Sequence, residues 1–170
     1  MNSLRPTRHV AIMSAMLSAA ALGVAHADSS NPDKDFVMKA AKAGIAEVAE
    51  ARIALKNSQR PDVQMFARRM IADHTKANEQ LNTIAKEQGI DLPNAPDDEE
   101  LMHMKQLGAL AGEDFDNAYI QKEVKDHQAA VALFAQESDN GQNAQLKSFA
   151  AATLPTLKEH DKMANALPQH

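Results

Sequence analysis

Cysteine is absent from the chain, as is tryptophan, and there is a single tyrosine. Without cysteine there is no disulfide framework, no thiolate nucleophile and no thiolate in any metal or redox site. Stability must come from packing. Alternating runs of β-branched residues are missing too, which argues against strands. The chain has no glycine-rich phosphate loop and no Gly-x-Ser-x-Gly element, so hydrolase readings have no support. Long apolar runs are equally scarce. One occurs, "VAIMSAMLSAAALGV" at 10–24, and it falls short of the roughly 20 residues a membrane-spanning helix needs.

That one run has the makings of a secretory signal. Arg5 and Arg8 precede it, and "AHA" at 25–27 supplies a small-x-small cleavage site. Residues 1–27 are therefore expected to be a cleaved signal peptide. The mature protein, 28–170, is expected to be periplasmic or secreted, with no cysteine at the cleavage point to carry a lipid anchor. With the two signal arginines removed, 16 basic residues face 23 acidic ones, a net charge of −7. Such a surface does not attract nucleic acid or anionic lipid. No membrane insertion is expected after cleavage. The remaining 143 residues suit one domain with a real core.

Ala, Lys, Glu, Gln, Leu and Met dominate what is there, a helical composition. Asn31 with Pro32 marks a helix start, and helix A is expected over 33–57. "NSQRPDV" breaks it and restarts helix B at Pro61, which ends at Gly89. "GIDLPNAPDDEE" reads as a linker, followed by a short helix near 97–110. Helix C is expected over 113–138, "SDNGQN" as a turn and helix D over 143–166. Pro155 lies inside helix D and is expected to kink it. The pattern predicts an all-α four-helix bundle with a long B–C connection that carries a short extra helix. That connection, about 24 residues, is far longer than a helix hairpin requires. It is expected to carry the chain from one end of the bundle to the other and make B and C parallel, where an up-down bundle would have them antiparallel.

Within these helices, "ADH" at 72–74 and "KDH" at 125–127 place Asp-His in the middle of an apolar stripe. Helix C shows it most cleanly, as Ile120, Val124, His127, Val131 and Phe134 at seam spacing. Helix B does the same with Met70, His74, Ala77 and Leu81, and helix D with Leu157, His160 and Ala164. In helix A the inward polar residue is Glu47. The halves echo each other. Phe66 and Tyr119 each stand eight residues before the histidine, and Ala77 and Ala130 three after it. Counting residues from the turns sets Glu47 level with His74, and His160 level with Glu123, one turn before His127. A mid-bundle cluster of Glu47, His74, Glu123, His127 and His160 results. Imidazole and carboxylate on facing helices are how bundles bind Fe, Zn, Mn or Cu. The same residues also suit a core in which each histidine finds a hydrogen-bond acceptor. Asp73 and Asp126 either form exposed ion pairs with Arg69 and Lys122 or orient a histidine on a neighbouring helix.

The stretches "FVMKAAKAGIAEVAEARIAL", "FARRMIADHTKANEQL", "GIDLP", "FDNAYIQKEVKDHQAAVALF" and "LPTLKEHDKMANAL" together resemble the secreted bacterial family known as domain of unknown function 4142, over about 35–167. The resemblance implies a ferritin-like antiparallel four-helix bundle. Set against a ferritin-like di-iron centre, Glu47, His74, Glu123 and His160 occupy four of six ligand roles. Ile71 and Leu157 stand where the other two glutamates belong, so a standard ferroxidase is not expected. The expected role is a non-enzymatic binding or stress-related envelope protein holding one metal ion. The alternatives are a metal-dependent oxidase or peroxide-handling enzyme, and a structural bundle acting through its helix faces, a homo-oligomer included.

Overall fold

The computed structural model describes residues 31–169, so the expected signal peptide at 1–27 lies outside the described residues. Among the described residues five helices follow one another: α1 Pro32–Asn57, α2 Pro61–Glu87, α3 Asp98–Gly108, α4 Gly112–Asn140 and α5 Ala144–Ala166. Their limits follow from local chemistry. The Asn31 side chain accepts from the backbone N–H of Asp33 and Lys34, ahead of Pro32 at the first helical position. Asp97 caps α3 and Asn143 caps α5 in the same way. Gly89, at φ 66°, turns the chain out of α2. Helix α5 continues without a break through Pro155, whose ring is exposed.

Contacts between the ends set the direction of each helix. At one end of the bundle, the buried Asp33 carboxylate accepts from the backbone N–H of Gln142 and Asn143, at 2.9 and 2.7 Å. Phe36 packs edge-on against Phe134 beside it. At the other end, Asn57 donates to the carbonyls of Gly108 and Leu110. Helix α1 is thus antiparallel to α4. Arg60 donates to the Pro168 carbonyl and Gln88 to Gln145, which makes α2 antiparallel to α5. A three-residue turn joins α1 and α2, so α2 and α4 run parallel, as the long connection requires. That connection crosses the length of the bundle and packs α3 against α1 and α4.

The apolar core comes in two parts. One gathers Phe36, Val37, Leu81, Phe134, Phe149 and Leu157. The other gathers Val63, Phe66, Met70, Phe115, Tyr119 and Ile120. Fully burying each large side chain contributes about 1.5–3 kcal/mol. Between the two parts lies a layer of polar and charged side chains that contributes nothing of the kind.

Candidate metal centre

The polar layer brings the five expected residues together, and all five are buried. They form two triads that share His127. In the first, donor atoms of His74, His127 and His160 all lie within 4.8 Å of one another. The ring centroids are 5.3–5.6 Å apart. In the second, Glu47, Glu123 and His127 meet the same limit. The partner of His160 is therefore His127 and not Glu123, one turn away. Side chains tilt toward the N-terminus of their own helix. In antiparallel α4 and α5 these tilts are opposed, which brings His127 and His160 level although their Cα positions are offset.

Hydrogen bonds leave one nitrogen free on two of the three rings. His127 Nδ1 donates to the Glu123 carbonyl at 2.8 Å. His160 Nε2 donates to Asp73 Oδ2 at 2.9 Å. The remaining nitrogens, His127 Nε2 and His160 Nδ1, are buried and, among the described residues, without a hydrogen-bond partner, as is His74 Nε2. An orphaned buried polar atom costs about 1–3 kcal/mol. Three such nitrogens on neighbouring rings, two of them anchored through the other nitrogen, are a donor set that could hold a metal ion. Around a tetrahedral ion, nitrogens at the usual bond length sit roughly 3.3 Å apart, inside the 4.8 Å limit these donors meet.

The two aspartates part company. Asp73 receives Arg69 from its own helix and His160 from α5. These two partners outweigh its partial burial and lower its pKa. Asp126 pairs with Lys122, one turn earlier. Among the described residues no hydrogen bond links it to a histidine, so the expected orienting role fails there. Lys122 also reaches Glu50 at 3.3 Å and Glu100 of α3 at 3.2 Å.

Electrostatics prepare the imidazoles to ligate. Burial, reinforced by the other two rings, pushes His74 down to about 3. Burial takes His127 down to about 4, and lowers His160 against the pull of Asp73. All three are neutral at pH 7, the form that binds metal. The carboxyls move the opposite way. Burial raises Glu47 well above its usual range, with Glu123 adding to it. Glu123 is pushed up to about 8, mainly by burial. A cation in the layer reverses the logic for both.

Three further polar groups in this layer escaped the sequence reading. Glu50 is 1% exposed, and Tyr119 is fully buried with its hydroxyl beside Glu123. The third, Glu100, reaches the layer from α3. Glu50 stands three residues after Glu47 and Tyr119 four before Glu123, so helical spacing from the expected ligands was the signal that would have found the first two.

Residues 18–167 match the family described as Domain of unknown function (DUF4142). The chain belongs to the DUF4142 family. No curated protein matches this DUF4142 chain in sequence. Two solved structures are similar to it in fold. A DUF305 fragment from Deinococcus radiodurans superposes with a TM-score of 0.70 at 15% identity, covering 80% of this chain and 94% of that one. CopM in the Cu(I)-bound form gives a TM-score of 0.66 at 16% identity, covering 78% and 92%. Among the described residues of the DUF4142 chain, no helix is long and apolar enough to cross a membrane.

Proposed function

We propose that this DUF4142 protein is a periplasmic or secreted metal-binding bundle that holds one transition-metal ion on His74, His127 and His160. Glu47 and Glu123 lie beside the ion and balance its charge. The observation that carries this reading is the set of three orphaned imidazole nitrogens in the bundle interior. Neutral imidazole suits copper, zinc and iron, whereas manganese prefers oxygen donors. Copper heads the order of affinity for such a site, and CopM, similar in fold, is a protein with bound Cu(I). Copper is therefore the ion assigned first, with zinc as its competitor. The role is non-enzymatic holding of the ion in the cell envelope.

The parallel α2 and α4 give the bundle the one-crossover path of ferritin-like proteins, and we infer a ferritin-like architecture on that basis. The site itself departs from a di-iron centre. Ile71 and Leu157 offer no bridging carboxylate, and His127 is an added imidazole.

The test is competitive titration of tag-free protein with Cu(I), Cu(II) and Zn(II) against a chelator of known affinity. One equivalent of copper is expected, bound more tightly than zinc. In the His74→Ala, His127→Ala double variant that equivalent is lost. Binding that persists in the double variant places the metal on the acidic surface and ends this reading.

A further inference from the structure

A cavity of about 480 Å³ borders the three-histidine site on one side. Glu47, His74 and His160 contribute to its polar lining, as do Asp73, Asn78, Lys122 and Asp126, while His127 and Glu123 lie outside it. The far end is apolar, closed by Leu81, Phe134 and Phe149. The cavity's exposed lining residues include Lys42 of α1 and Ala129 of α4.

The space is built by the sequence. Gly44 stands three residues before Glu47, Ala77 three after His74 and Ala130 three after His127. Because α1 runs opposite to α2 and α4, all three positions fall on the same side of the histidine layer. They line the cavity together. The repeated His-x-x-Ala pattern of the two halves thus places a small residue directly next to each of these two histidines. Protein interiors are normally close-packed, with few voids larger than a water molecule. Ala77 and Ala130 leave their neighbours unfilled, whereas the space a side chain at Gly44 would take is occupied by Asn78; the volume is in the range of small-molecule sites.

Three imidazoles also leave room at the ion. Metal sites with three protein ligands keep a further position for an exogenous group. The cavity reaches the ion from the side of His74 and His160, so that position faces the apolar space. We propose that this cavity binds a small organic molecule with an apolar body and a single nitrogen or oxygen donor, the donor completing the coordination of the ion. The body lies against Leu81, Phe134 and Phe149. This inference rests on the three-histidine metal site.

Cobalt(II) serves as the reporter, since its visible bands record both occupancy of the site and any added ligand. The Co(II)-loaded full chain is titrated with imidazole and with 4-phenylimidazole, which share a donor and differ in the apolar body. The phenyl compound is expected to bind at least about tenfold more tightly, the effect of burying one aromatic ring. In Ala130→Phe and in Ala77→Leu, which fill the cavity, the cobalt bands remain and the preference for the phenyl compound disappears. Either variant alone suffices if the other fails to fold. Equal affinities in the wild type overturn the proposal, as does a preference that survives in a filled variant. Failure of the wild type to develop cobalt bands at all is a different result. It overturns the metal site, and the ligand site with it.

Discussion

Asp73 and Asp126 occupy the same sequence context, each directly before a buried histidine, yet only Asp73 reaches an imidazole. The metal reading assigns them unequal effects. Asp73→Asn is expected to weaken metal binding about 10–100-fold, the usual effect of losing an outer carboxylate partner. Asp126→Asn is expected to leave it unchanged, and equal losses in both variants, measured by chelator competition, would contradict the assignment. The perturbed groups also set a pH profile for the metal-free protein. His74 titrates near 3 in the fold against about 6.5 when unfolded. As pH falls below about 6.5 the unfolded chain takes up a proton that the fold refuses, and stability is lost. Glu123 titrates near 8 in the fold, and Glu50 near 9. As pH rises above about 4.5 the unfolded chain releases protons that the fold retains, so stability falls on that side too. A melting temperature that peaks at about pH 5–6 is expected without metal. Bound metal should flatten the alkaline arm, because it favours the ionised carboxylates. Thermal melts across this range, with and without metal, read both arms.

At the scale of the helix, sequence signals and structure agree closely. Asn31 and Pro32 start α1, Pro61 restarts the chain as α2, and Gly89 ends that helix. One contact between elements was not visible in the sequence. Asp33 reads as a first-turn acid that favours the helix dipole, but its carboxylate crosses to the α4–α5 turn and holds two backbone N–H groups there. It is 6% exposed, so water cannot readily replace it. Asp33→Ala is therefore expected to cost about 2 kcal/mol, with two charge-assisted bonds lost and two donors orphaned. Urea unfolding tests this, and an unchanged midpoint would show that the turn holds without the carboxylate.

For the whole molecule, the polar layer divides the core, and the long connection decides which helices face one another across it. Burial of four carboxylic or phenolic groups and three histidines weakens the metal-free bundle relative to one filled with apolar side chains. A ligand that binds only the folded state offsets this. At a free-metal concentration of about 100 Kd the gain is about 2.7 kcal/mol. A metal-dependent rise in melting temperature is expected for the wild type and not for the His74→Ala, His127→Ala double variant. A rise of the same size in both would mean that the ion sits elsewhere and that the histidines only fill the core.

By itself, the sequence determined the helices, their order and the inward face of each. Helical periodicity and cap chemistry are local, and a 24-residue connection constrains topology through length alone. It also pointed to the five buried polar residues, because a histidine or glutamate at a seam position cannot face solvent. Their grouping depended on the tertiary structure. Counting residues from the turns measures Cα levels, whereas contacts depend on side chains that tilt in opposite directions on antiparallel helices. The resulting shift of one turn replaced a His160–Glu123 pair with a three-histidine cluster and left Glu123 against Glu47. The cavity had the same origin. Gly44, Ala77 and Ala130 look like ordinary helix residues, and only the direction of each helix puts all three on one side of the histidine layer.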